Sequence, residues 1–568
     1  SSRRRHTRYI SVTGVQTCAL PILALGHTRL TLCPDGGGAM LAYGPGGMSG
    51  GAAVRAPVIN GTIGGSRLAV KAASAKFALG KPGFTLTDAD MQIGPADAPV
   101  HLTAASLDGQ FAGSALSGVM AGAGGKIGTV PLDISEGQGK WAYRDGVLTV
   151  DGALMVADAE APDRFQPMSV PDFTLRMANS RITADGTLHE PKSGKQVAVA
   201  HVVHDLSRNA GSAELLVPEL VFNGGLQPEN VTLLARGVIA NVRGKVEGTG
   251  DIAWADGKVT STGTFSTQGM SLAAAFGPVY GLSTTIHFTD LLGLITAPHQ
   301  ELTIASTNPG VEVTNGVIHY QLVEGQRAHI EDGEWPFSGG RLYLLPTTLD
   351  FSAEKPRYLT FRVVGLEAGA FIQTMELDNV SATGLFDGLL PMVFDAQGGR
   401  ITGGLLVARQ QGLAPLILSS AANLDIPCDR TRQAGSLAYV GPVSNEQLGI
   451  FGKMAFDALK NLQYKCLSIF MDGALDGELV TRVVFNGVNK SPVGAEAPGG
   501  ISKQFTGLPF LFNIRIEAPF RGLLNTAASF ADPSTLIHNR LGDDYQQKLQ
   551  NDVAVQPAES ETVPKKGP

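Results

Sequence analysis

Residues 384–407 read GLFDGLLPMVFDAQGGRITGGLLV. The stretch is apolar, punctuated by glycine, and carries one isolated arginine, Arg400, with two scattered aspartates, Asp387 and Asp395. Nothing in it offers a catalytic constellation. A short β-type run of this kind places much aliphatic surface on the chain without saying what covers it. A cover would have to come from elsewhere in the sequence.

The composition is that of a folded, β-leaning chain. Of 568 residues, 43% are hydrophobic and 17% charged, and there are 71 glycines, well above the usual share of about 7%. The apolar content is too high and the net charge of −7 too small for a disordered chain. The same balance argues against a nucleic-acid partner, because phosphate neutralisation needs a basic face. No apolar run reaches the 18 residues or so that span a bilayer. The four cysteines (Cys18, Cys33, Cys428, Cys466) form no CxxC pair, so zinc-finger and thioredoxin chemistry find no support. Cys428 and Cys466 are either joined, in an oxidising compartment, or two buried thiols.

The first 22 residues, SSRRRHTRYISVTGVQTCALPI, fail as a secretory signal. Thr13, Gly14, Gln16 and Thr17 interrupt the apolar part, where a signal needs about 7–15 unbroken residues. The stretch resembles translated sequencing-adapter read-through and is set aside on that reading, which leaves 40 basic against 51 acidic side chains, a balance of −11. The natural N-terminus is then expected to lie elsewhere.

From residue 23 onward short β-type runs are separated by glycine and by Asp-Gly or Asn-Gly pairs. A weak repeat joins WAYRDGVLTVDGAL (141–154) to WADGKVTSTGTF (254–265). Asp145-Gly146 and Asp256-Gly257 supply the positive φ angles of two-residue hairpin turns, and the same reading is given to Asn315-Gly316, Asp332-Gly333, Asp387-Gly388 and Asp472-Gly473. An antiparallel meander follows. Alternation is clearest in the C-terminal half: Ile318, Tyr320 and Leu322 share one face, as do Leu359, Phe361 and Val363, and Phe510, Phe512, Ile514 and Ile516. Their opposite faces are mixed or polar, as in a sheet with one side hidden from water. Only two segments read as helix. One is 444–462, with a Ser444/Gln447 capping box, and the other is about 519–545. Residues 489–507 read as a loop and the last stretch as a polar tail.

Chemistry is scarce. Gly47-Met48-Ser49-Gly50-Gly51 matches a nucleophile elbow in letters only, since a following helix is blocked by Pro57. His201 and His204 read as a solvated pair rather than metal ligands, and Asp425 and Asp429 beside Cys428 as a polar loop. No cofactor, no metal and no enzymatic activity are expected.

At residues 384–408 the pattern resembles the signature of AsmA-like proteins, specifically the YdbH group (the family labelled dicarboxylate transport). NPGVEVTNGVIHYQL (308–322), EWPFSGGRLYLLPTTLDF (334–351) and FLFNIRIEAPFRGLLNT (510–526) are similar to that group in the same order. The resemblance covers about 230–531. It implies a long twisted antiparallel β-sheet curled into an open trough with one or two short C-terminal amphipathic helices. The domains expected are 23–230, the N-terminal part of the groove, 231–531, the family-like C-terminal part, and 532–568, a short helix and tail. The implied function is periplasmic transfer of phospholipids between inner and outer membranes along an apolar groove, lined by the ten face residues named above, with Pro391 and Gly404 architectural. An N-terminal inner-membrane anchor and a small outer-membrane lipoprotein partner are further implications. On that reading the aliphatic surface is the working surface. Two other readings stay open: a secreted or surface β-solenoid (adhesin or polysaccharide-active), and an assembly factor for outer-membrane proteins.

Overall fold

The structure is a computed structural model. It describes residues 23–25, 31–35, 40–44, 47–63, 66–78, 82–95, 99–127, 130, 132–161, 163–235, 239–274, 277–307, 312–352, 355–374, 380–395, 398–418, 428–439, 462–475, 478–489 and 509–519. Almost all of this is strand. Among the described residues 31 strands are joined in one sheet, and Ala42–Gly44 and Gly47–Ser49 form a separate two-stranded ladder. The helices among the described residues are Ala368–Thr374 and two short 3-10 turns. The helices expected at 444–462 and 519–545 lie outside the described residues except at their edges, where Leu462 begins a strand and Pro519 ends one. The elbow motif is settled by the ladder, because Gly51–Arg55 is a strand and not a helix.

The chain forms two compact units, residues 1–235 with 244–267 and 285–297, and residues 236–243 with 268–284 and 298–568. In the first, Val100–Ala112 pairs with Ala115–Ile127, which pairs with Leu132–Arg144, and so on neighbour by neighbour to Ala210–Phe222. Asp145 and Gly146 (φ 49° and 83°) and Asp256 and Gly257 (φ 51° and 73°) are the hairpin turns expected, with both central residues left-handed. The core here is thin, made of small clusters such as Val54, Ala75, Leu86, Ala89 and Ala104. His204 corrects its reading as a solvated residue. It is buried, accepts a hydrogen bond at Nδ1 from Trp254 Nε1 (3.1 Å), and desolvation pushes its pKa down. His201 is exposed and paired with Asp185.

In the second unit the four other Asp-Gly and Asn-Gly pairs are not turns. Each lies inside a strand: Val313–Val323, Arg327–Phe337, Val380–Asp395 and Leu462–Ala474. The pair needs only a positive or crowded backbone position, which a bulge supplies as well as a turn. Asn315 has φ 56° in mid-strand, and a Cβ on Gly388 would strike the Leu405 carbonyl across the ladder. The side chain of Asp387 has a different task. It is fully buried, pairs with Arg409 through both carboxylate oxygens, and accepts N–H bonds from Gly365 (2.9 Å) and Leu416 (2.9 Å).

Bulges decide which residues share a face. Gly403 (φ 69°) lies where the pairing of Gly398–Arg409 slips against both of its neighbours. The extra residue flips the alternation, so Ile401 and Leu406, an odd number apart, end on the same face. Gly404 is confined because a Cβ there would sit 2.8 Å from Ile401 Cγ2, and Pro391 falls within the slip between Leu389 and Met392, where a sheet tolerates proline.

The opening stretch therefore has two apolar faces, not one. Phe386, Leu390, Met392, Phe394, Ile401 and Leu406 belong to the large core of the unit. Leu389, Leu405 and Val407 face the other way and pack beneath Leu418, with Leu345, Leu416 and Phe470 around them. Segment 411–418 is held there by the Asp387–Leu416 bond and by Arg362 Nε donating to the Leu418 carbonyl (3.3 Å). Part of the aliphatic surface of this stretch, at Leu389, Leu405 and Val407, is thus covered by the protein's own chain. Gln410 fastens the neighbouring strand ends. Its amide donates to the carbonyls of Asp429 and Lys465 and accepts from the Asp429 N–H. Beside it Cys428 and Cys466 are joined as a disulfide, which resolves the alternative left open by the sequence.

Candidate functional site

The second unit contains a partly open apolar cavity of about 340 Å³. Strand after strand sends alternate residues to it. Leu302 and Ile304 come from Gln300–Thr307, Ile318 from Val313–Val323, Ile330, Trp335 and Phe337 from Arg327–Phe337, and Leu342 and Leu344 from Gly340–Leu344. Leu359, Phe361, Val363 and Leu366 follow from Arg357–Glu367, then Leu390, Met392 and Phe394, then Ile401 and Leu406. Phe371 closes in from the helix Ala368–Thr374, its ring 6.1 Å from that of Phe337. Of 30 lining residues only Thr307 and Arg357 are not hydrophobic.

Those two polar residues are buried, and each is tethered by its own hydrogen bond. Thr307 Oγ1 donates to the Pro278 carbonyl (3.0 Å). Arg357 Nε donates to the Asp350 carbonyl (3.2 Å), and its guanidinium lies 5.2 Å from the centre of the Phe351 ring. Neither arrangement provides an acid, a base or a nucleophile pointed into the space. Trp335 is the exception in a different sense: its Nε1 is buried and meets no acceptor among the described residues. What such an interior can do is solvate hydrocarbon. Each methylene moved into it from water gains about 0.8 kcal/mol.

The structure brings four of the sequence-designated residues together on this cavity, Ile318, Leu359, Phe361 and Val363. Tyr320 and Leu322 do not border it. Tyr320 is buried further along its strand, opposite Gln300 and Ile330. Phe510, Phe512, Ile514 and Ile516 lie on Pro509–Pro519, paired in register with Glu478–Asn489, and their side chains fall outside the described ones. Trp335, Phe337, Leu342 and Leu344 were not among the expected groove residues, although alternation in EWPF and RLYL carries the same signal. Leu390 to Leu406 needed the Gly403 bulge to be placed on a face at all.

No group of His, Cys, Asp or Glu that could hold a metal ion occurs among the described residues, and none of their helices is long and apolar enough to cross a membrane. The fold and cavity define a large antiparallel β-protein with an interior suited to acyl chains. A comparison with protein families gives the particular identity. The model of the YdbH-like family, described as intermembrane phospholipid transport protein YdbH, matches residues 11–423 and 430–542, and the chain belongs to that family. Membership implies intermembrane phospholipid transport, and the family is one of transport proteins rather than enzymes. Neither a curated protein nor a solved structure matches the chain.

Proposed function

We propose that the chain is a bridge-like carrier that moves phospholipids between inner and outer membranes, holding their acyl chains against the apolar face whose best-defined part is this cavity. The observation that carries the reading is the lining: 28 hydrophobic residues of 30, gathered from neighbouring strands, in a member of a phospholipid-transport family. Chains held by dispersion and hydrophobic contact alone have no fixed register, so they slide from one set of side chains to the next at little cost. Ile318, Leu359, Phe361 and Val363 are the groove residues of this proposal. Tyr320, Leu322 and the Phe510–Ile516 set remain candidates for its continuation.

A periplasmic location fits the intermembrane task and the Cys428–Cys466 disulfide, since disulfides persist in oxidising compartments. Anchoring in the inner membrane and a small lipoprotein partner at the outer membrane belong to the same proposal. The solenoid alternative is disfavoured by the ladders, because the described pairings are antiparallel whereas coiled β-helices stack parallel strands.

Photo-crosslinking tests the reading in living cells. A benzophenone side chain at Phe361 or Leu390 is expected to capture phospholipid, while the same group at Tyr358 or Leu413, both exposed, is not. Equal capture at all four positions would mean that lipid contact has nothing to do with the cavity.

A further inference from the structure

Trp335 is 4% exposed, and its ring lies 6.2 Å from that of Phe361. Its indole N–H is a donor only, and among the described residues no acceptor reaches it. Such orphans are rare in folded proteins, and each calls for an explanation. The nitrogen sits over Gly316, where any Cβ would collide with it. Gly316 pairs directly with Ile304, and Ile318 follows two residues on along the same face; both isoleucines line the cavity. The indole therefore lies on the cavity side of the sheet, its nitrogen packed over Gly316, in a lining that is otherwise almost wholly apolar.

Resting on the lipid-binding reading above, we propose that Trp335 Nε1 hydrogen-bonds an ester carbonyl of a bound diacyl lipid, so that this part of the groove recognises the ester linkage. The chemistry of the lining favours that acceptor. A neutral carbonyl loses little on entering hydrocarbon surroundings when a donor waits for it, whereas a phosphate oxygen would bring charge with it. Ester carbonyls also sit at the head of the acyl chains, so a chain that fills the cavity carries its own acceptor to the indole. The bond gives a sliding lipid one preferred stopping place.

The test offers the purified full chain vesicles holding equal amounts of dipalmitoyl and dihexadecyl phosphatidylcholine, which share headgroup and chain length and differ in the carbonyl. Bound lipid is then extracted and quantified. The wild-type chain is expected to enrich the diester about fivefold, the worth of one hydrogen bond. Trp335→Phe, which keeps a ring and removes the donor, is expected to bind both lipids at a ratio near one. Equal binding by the wild type, or a diester preference that survives in Trp335→Phe, overturns the proposal. A loss of diester and diether alike in the variant also overturns it and points to the phosphate as acceptor. No lipid of either kind on the wild type sinks the underlying lipid reading instead. Should Trp335→Phe fail to fold, the indole ¹⁵N–H resonance of the wild type decides. It is expected to shift downfield with diester and not with diether, and an equal response to both contradicts the assignment.

Discussion

Placing a carboxylate at Phe361 is the sharpest perturbation of the groove. Phe361 lies on the cavity face between Leu359 and Val363, packs against Trp335, and is only partly buried, so the fold can survive its replacement. In Phe361→Asp an acyl chain crossing this point would have to abandon contact along about four methylenes or desolvate a charge. At about 0.8 kcal/mol per methylene the first course costs about 3 kcal/mol, a loss on the order of 100-fold in lipid retention. The control is Tyr358→Asp, on the opposite face of the same strand and 61% exposed. Both variants would be purified without detergent and their bound phospholipid quantified well below their melting temperatures. Phe361→Asp is expected to lose nearly all its lipid and Tyr358→Asp almost none. A folded Phe361→Asp that retains lipid like the wild type would show that no acyl chain passes that face.

Three further outcomes follow from other parts of the fold. Asp387→Ala strands Arg409 and two backbone N–H groups, and is expected to destabilise the second unit by about 3–5 kcal/mol in urea titration. Reduction of the disulfide frees a span of 38 residues and is expected to lower stability by about 4 kcal/mol, read as a drop in the denaturation midpoint with added reductant. His204 is held neutral by burial, so the unfolded chain takes up its proton first as pH falls below about 6.5. The first unit is accordingly expected to lose stability from that pH downward. His204→Gln, which keeps an acceptor for Trp254, should flatten the pH dependence of the melting temperature.

The strands were legible because alternation is a property of neighbours in sequence. LTFRVV put Leu359, Phe361 and Val363 on one face, and that face does border the cavity. The Asp-Gly and Asn-Gly pairs were legible only in part. Asp145-Gly146 and Asp256-Gly257 turn the chain, while Asn315-Gly316 and Asp387-Gly388 lie inside strands, because a positive or crowded backbone position is shared by turns and bulges. The difference is set by what lies across the ladder: the Trp335 indole over Gly316, the Leu405 carbonyl against Gly388. That is long-range information. The same limit hid the two-sidedness of residues 384–407. Nothing local says that residues 411–418 return to cover Leu389 and Leu405, or that Asp387 is a buried clamp rather than a turn residue. Tyr320 and Leu322 share the alternation of Ile318 but lie further along the strand than this cavity reaches, and period alone does not report where along a strand a cavity ends.

The most direct measurement is the identity of what the protein carries. The chain would be exported to a bacterial periplasm, purified without detergent, extracted with solvent, and its extract analysed by mass spectrometry alongside native mass spectrometry of the intact protein. Phospholipid at one or more molecules per chain is the predicted result. A monodisperse chain free of lipid would contradict the account, because the lining of the cavity would then be satisfied by protein alone.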